Sequence, residues 1–368
     1  MLILVVFTQI MGTCYGNYNQ FELSLFRTIY GSSKESNIIL SAFSIRATLS
    51  ILYLLANKNT SEDMQKLFKT NHFDRQPFED GINLQIYSKA FIDQTLFNEN
   101  FSTTFQKHSG ITLETIDFEP PRHENNSIDT WIDDLTECTE PPLLSTTEVT
   151  LNSSFLLWSA IWVRARWREP FDWTTQQIFH YANGDHLVDM MFVENRFEHA
   201  EVDGLSAVNL PLDADLSMLV IVPTRKSDQL STVIARFDHT MCLKIVRALK
   251  EKHVVLRMPK FAVSSTVDVR KVLAAIGLGA LLGDYAFEVA PGVNSPLSSM
   301  KQTTVIEVTE NGLMGEDSAG PNFRFSTGAE SSPSPVFLTI DRPFIFFIRH
   351  VSTKSILFIG QYSQFVEC

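Results

Sequence analysis

The chain has 368 residues, and its 42 Asp and Glu against 30 Lys and Arg leave a net charge of −12. With 44% hydrophobic and 20% charged residues it can fill a sizeable core, which argues against wholesale disorder. The acidic balance, with no basic run beyond the scattered Arg164, Arg166 and Arg168, argues against nucleic acid as a partner, because phosphate binding needs a basic face.

Taken in chain order, Leu2 to Met11 form an apolar run that ends in small Gly12, Cys14 and Gly16 before polar Asn17. So short an apolar core reads as a cleaved signal peptide over residues 1–16, leaving residues 17–368 as a secreted, extracellular domain. No later stretch reaches the roughly 20 apolar residues that cross a bilayer, so no membrane partner is expected. Phe21 to Tyr30 and Ser44 to Leu55 read as helices, and Ser61 to Phe68 opens with a serine and an acidic turn, as helices do. Phe155 to Val163 is a nearly continuous apolar run suited to a strand buried on both faces. Ser217 to Val222 and Val254 to Met258 are strands closed by Pro223 and Pro259, and Val269 to Ile276 is a helix stopped at Gly277. Four more strands follow at Thr304 to Val308, Val336 to Ile340, Phe344 to Arg349 and Ile356 to Gly360. Between Gly312 and Phe337 the composition turns to Gly, Ser, Pro and Glu, and a loop that long inside a compact domain points to function.

Glycosylation triplets begin at Asn59, Asn100, Asn125 and Asn152, in keeping with secretion. Cys14 leaves with the signal, so Cys138, Cys242 and Cys368 form at most one internal bridge, and no spacing among them suits a metal. The nine His residues are scattered, and Asp213 and Asp215 lack the glycine and distal Glu of a calcium loop. No zinc-protease, phosphate-loop, nucleophile-elbow or dinucleotide motif occurs, so no catalytic residue, metal or cofactor is assigned and an enzyme is not expected.

The segment from Leu338 through Arg342, Pro343 and Phe344 to Ile348 resembles the signature of the serpins, the serine protease inhibitor family. Ser355 to Gly360 is similar to that family's closing strand, and Asn37 to Ile45 to the entry of its second helix. Ala160, Ile161 and Trp162, then Trp167 and Phe171, Val188 to Met191, and Met258 to Phe261 keep the same order, so the likeness covers nearly the whole mature chain. The overall look also resembles secreted insect serpins of the male accessory gland, although no motif carries it.

The resemblance implies an α+β fold, one monomeric domain of about nine helices and three sheets with an exposed reactive-centre loop over 312–337. In family inhibitors an extracellular serine protease attacks this loop, which then inserts as a new central strand of the large sheet. The hinge here reads Glu310, Asn311, Gly312, Leu313, Met314, Gly315, whereas inhibitors follow the hinge glycine with a Thr and small residues. In an inserted strand Leu313, Gly315, Asp317, Ala319 and Pro321 alternate toward the core. Burying Asp317 without a partner costs on the order of several kcal/mol. Pro321 removes a hydrogen bond from a central strand. Gly315 and Gly320 each cost about 0.5–1 kcal/mol in chain entropy. Insertion is a race against hydrolysis, so this hinge is expected to trap poorly.

In the family's shutter, an Asn and a His are replaced here by Ser159 and Gln302, which remain able to hydrogen-bond to each other, while Ser41, Ser44 and Trp167 are retained. Counting forward from Gly312 puts the scissile bond near Ser326 and Thr327, while counting back from Phe344 puts it near Ser332 and Pro333. Arg324 would suit a trypsin-like protease and Phe325 a chymotrypsin-like one. Two roles stay open: a substrate or binding protein that does not trap, and a suicide inhibitor that forms a covalent complex.

Overall fold

A computed structural model describes residues 20–31, 36–68, 83–99, 102–103, 105–106, 111–116, 154–283, 286–290, 293–314 and 334–366. The expected signal peptide, Cys138, Cys368, Asn100, Asn125 and Asn152 lie outside these residues, as do loop positions Gly315, Asp317, Ala319, Pro321, Arg324, Phe325, Ser326 and Thr327.

The chain opens with helix α1 (20–31), strand β1 (Ile38–Leu40) and helices α2 (Ala42–Leu55) and α3 (Lys58–Phe68). Ser41 caps α2, its Oγ accepting from the Ser44 N–H at 3.2 Å. Helix α3 starts at Lys58 rather than Ser61, because Asn57 Oδ1 takes the Thr60 N–H at 2.9 Å and sets the cap one turn earlier. Strands β2 (Asn83–Asp93), β3 (Thr112–Ile116) and β4 (Phe155–Arg166) follow, then β5 (Trp173–Tyr181), β6 (Gly184–Val202), β7 (Leu205–Pro211) and β8 (Leu216–Pro223). Helices α4 (Leu230–Arg236) and α5 (His239–Ala248) lead to β9 (Lys250–Pro259), β10 (Phe261–Asp268) and α6 (Val269–Ala275). The rest is strand: β11 (Phe287–Ala290), β12 (Val293–Ser295), β13 (Ser299–Val308), β14 (Gly312–Leu313), β15 (Val336–Thr339), β16 (Phe344–His350) and β17 (Ser355–Tyr362).

The strands make three sheets. The largest has nine strands, running β1-β17-β16-β8-β7-β6-β9-β15 with β5 on β6; the second has six, in the order β10-β13-β14-β4-β2-β3; the third pairs β11 with β12. Three sheets match the expectation, while among the described residues six α-helices are delimited, with further helical residues at 99, 102–103 and 105–106, against about nine expected.

The apolar runs become the most deeply covered strands. β8 is buried along its whole length and β4 over its first nine residues, because both faces of these strands are packed. One core cluster, with Phe26, Leu49, Phe155 and Phe347, joins the helices to the sheets; another, with Ile161, Met190, Phe261 and Phe358, fills the space between the two large sheets. The line between β4 and β13 runs down the middle of the six-stranded sheet.

Candidate functional site

Along their lower halves β4 and β13 are parallel neighbours, in register from Leu156 opposite Ser299 to Ile161 opposite Thr304. At the top they are separated by β14: Leu313 pairs with Val308 on one side and with Ala165 on the other, antiparallel to both. The expected hinge therefore begins inside the sheet. β13 ends at Val308, the chain turns through Thr309, Glu310 and Asn311, and Gly312 and Leu313 run back down into the opening.

Several contacts fix the turn. The Trp167 N–H donates to the Asn311 carbonyl at 3.0 Å and its Nε1–H to the Thr309 carbonyl at 2.8 Å. The Thr309 N–H donates to the Gly312 carbonyl at 2.9 Å, and the Met314 N–H to that of Glu307 at 2.9 Å. Trp167 is buried, so it serves as a core aromatic while its indole N–H holds the hinge. Gly312 has φ of 151°, and a Cβ there would meet the Ala165 carbonyl oxygen at 2.1 Å. Only a residue without a side chain lets the backbone pass so close to β4. Leu313 then points inward and is 0% exposed, inside the core between the large sheets.

Glu310 anchors the outer side of the turn. Its carbonyl accepts the Phe171 N–H at 3.0 Å, and its Oε1 accepts the Thr174 hydroxyl at 2.5 Å. Lys260 Nζ lies 3.6 Å from its Oε2. Partial burial pushes the Glu310 carboxyl up, but the Thr174 hydroxyl, its own backbone bond and Lys260 outweigh this and hold it below the ordinary glutamate value.

At the lower end, Ser159 and Gln302 are directly opposite across the β4–β13 pair. The Gln302 amide does not turn to Ser159. Its Oε1 accepts the Ser41 N–H at 2.9 Å and its Nε2 donates to the Ser41 carbonyl at 3.0 Å, while the Thr304 hydroxyl also donates to Oε1 at 3.3 Å. Ser41 Oγ donates to the Leu357 carbonyl at 2.8 Å. A glutamine reaches one bond further than an asparagine, so from β13 it clasps both backbone groups at the cap of α2. Ser44 lies beneath, buried, with its N–H on Ser41 and its Oγ without a partner.

Other singled-out residues stand apart from this line. Asn59 is exposed on the first turn of α3. Cys242 is a buried free thiol on α5, its pKa pushed up to about 11 by burial. Among the described residues, no group of His, Cys, Asp and Glu is placed to hold a metal, and no helix is long and apolar enough to cross a membrane. Sequence reasoning did not find β14, Thr174 or Lys260. Two residues carry no periodicity, and the Glu310 partners come from β5 and from the turn after β9.

The family model described as Serpin (serine protease inhibitor) matches residues 16–365. Among curated proteins, the leukocyte elastase inhibitor of Sus scrofa is 28% identical over 94% of this chain and 97% of its own. Serine proteinase inhibitor 2 of vaccinia virus is also 28% identical, over 92% of this chain and 98% of its own. In fold, native protease nexin-1 with heparin superimposes with a TM-score of 0.81 at 22% identity, covering 96% of this chain and 99% of that one. Serpin48 of the insect Tenebrio molitor gives 0.81 at 21% identity, covering 96% and 98%. A family of serine protease inhibitors needs no catalytic group of its own, which fits the absence of enzyme motifs. With the family model spanning almost its whole length and three sheets in this arrangement, the chain belongs to the serpin family.

Proposed function

We propose that this serpin is a secreted, glycosylated extracellular protein that meets trypsin- or chymotrypsin-like serine proteases through its 312–337 loop and is cleaved there more readily than it traps. The observation that carries this reading is the register of β14. Continued downward from Leu313, the same register sets residue 315 opposite Val163 and Ile306, and Asp317 opposite Ile161 and Thr304. It sets residue 319 opposite Ser159 and Gln302, and Pro321 opposite Leu157 and Met300. Ile161 and Thr304 are both fully buried, so an ionised Asp317 would meet at most the Thr304 hydroxyl there. Pro321 would leave a gap in the ladder of a strand paired on both sides. Each lies deep enough that the protease has time to hydrolyse the acyl-enzyme before the strand is in.

A specific observation favours the second reading, a trapping inhibitor. Leu313 already occupies the top of the slot, so insertion starts one residue pair ahead. The relatives' names, which describe inhibitors, weigh the same way.

The test is incubation of the secreted protein with trypsin and, separately, chymotrypsin, followed by a denaturing gel and thermal melts before and after cleavage. Cleavage between Gly312 and Phe337 with no gel-stable complex and no rise in melting temperature is the expected result. A stable complex with a large rise in melting temperature establishes the inhibitor instead.

A further inference from the structure

One row of side chains crosses four strands at one end of the nine-stranded sheet. Trp173 on β5 is directly opposite Phe192 on β6, Phe192 is opposite Arg257 on β9, and Arg257 is opposite Thr339 on β15. The row begins next to Thr174, whose hydroxyl holds Glu310 just before the chain enters β14. It ends on β15, the strand that receives the chain after the loop. Phe337, two residues before Thr339 on the same face, is 73% exposed, and Trp173 is exposed as well.

The Trp173 and Phe192 rings stack with centroids 4.6 Å apart, and the Arg257 guanidinium sits 5.7 Å from the Phe192 centroid. Neighbouring polar side chains on this sheet are paired, His253 with Glu194 at 2.9 Å and Arg196 with Glu251. Among the described residues Arg257 has no side-chain hydrogen bond and no ion pair, and its buried Nε has no hydrogen-bond partner. A half-buried guanidinium near an aromatic ring, with no hydrogen-bond or ion-pair partner among the described residues, is set up to receive a carboxylate. Exposed aromatics around one such arginine have the composition of a protein-binding centre.

We infer that the face formed by Trp173, Phe192, Arg257 and Phe337 is a docking surface for the attacking serine protease, engaging a protease surface loop that carries an Asp or Glu beside an apolar side chain. The inference rests on the proposed encounter at the 312–337 loop. A protease that reaches a loop anchored beside Thr174 and returning at Val336 approaches over this row. Arg257 would pair with the carboxylate and steer the encounter, while Phe337 and Trp173 would cover the apolar neighbour.

The test is the kcat/KM of loop cleavage, or of complex formation, for the full chain with a panel of trypsin, chymotrypsin, pancreatic elastase and thrombin. With the fastest of these, Arg257→Glu is expected to lower the rate about tenfold and Phe337→Ala about threefold, and the fall of the wild-type rate with added salt is expected to flatten or reverse in Arg257→Glu. Phe337 is so exposed that its substitution keeps the test valid if Arg257→Glu misfolds, and thermal melts report which case holds. Both variants within twofold of wild type for every protease overturn the docking surface and leave the proposed function standing. No cleavage by any protease between Gly312 and Phe337 overturns the proposed function and this surface with it.

Discussion

The two ends of the β4–β13 line treat the same problem differently. At the top the strands are held apart by a two-residue strand, Gly312–Leu313, which fills the opening with backbone pairing on both sides. At the bottom they are closed on each other, and Gln302 ties the closed pair to the cap of α2. The upper end is already open, so admitting more chain there costs little. The lower end opens only by breaking a parallel ladder and uncovering buried groups.

The largest expected effect falls on the lower end. Gln302→Leu removes both bonds to Ser41 and strands a buried N–H and carbonyl, which is expected to cost about 3 kcal/mol in urea unfolding. If the loss is below 1 kcal/mol, the clasp does not hold the line closed and the contrast between the two ends collapses. Gly312→Ala comes next. The added Cβ meets the Ala165 oxygen at 2.1 Å, so the hinge is expelled or strained by about 2 kcal/mol. Faster cleavage of the loop with a lower melting temperature is the expected pair of readings, and an unchanged rate would mean that the seated hinge does not limit access. Trp167→Phe keeps the packing but leaves the Thr309 carbonyl without its indole donor, and a loss of about 1 kcal/mol is expected by the same unfolding measurement.

The smallest effect belongs to Glu310, which is partly solvated, so Glu310→Gln is expected to cost a few tenths of a kcal/mol. Its folded pKa is lowered, so its stabilisation is present above the ordinary glutamate pKa of about 4.3 and is lost as pH falls through the lower folded value. Melts of wild type and variant should therefore differ at pH 7 and converge near the acid end. A gap that widens on acidification would reverse this assignment.

Much of the fold was legible because burial on both faces writes itself into sequence. Phe155 to Val163 and Ser217 to Val222 are apolar at nearly every position and emerge as β4 and β8. β6 was mostly missed: over its nineteen residues exposed and buried positions alternate, and polar side chains mask the strand. The hinge was legible as chemistry, through Gly312 and the residues after it, yet its place in the sheet was not. β14 forms only because β4 and β13 are spread at the top, a condition set by strands distant in the chain. Ser159 and Gln302 do stand opposite each other, but the sequence allowed them to bond to each other, whereas Gln302 reaches Ser41, 261 positions away.

By itself the sequence determined the apolar runs that must be buried, the presence and rough extent of α1, α2, α3 and α6, the serpin signature from Leu338 to Ile348, and Gly312 where the chain leaves β13. These are local matters of transfer free energy and backbone freedom, and residues near one another settle them. Only the tertiary structure decided that Leu313 sits inside the sheet, that Gln302 closes the lower end on α2, and that the Arg257 guanidinium lies 5.7 Å from the Phe192 ring centroid with no hydrogen-bond or ion-pair partner among the described residues. Those outcomes depend on which strands become neighbours and on which polar groups find partners after burial, and no local pattern carries that information.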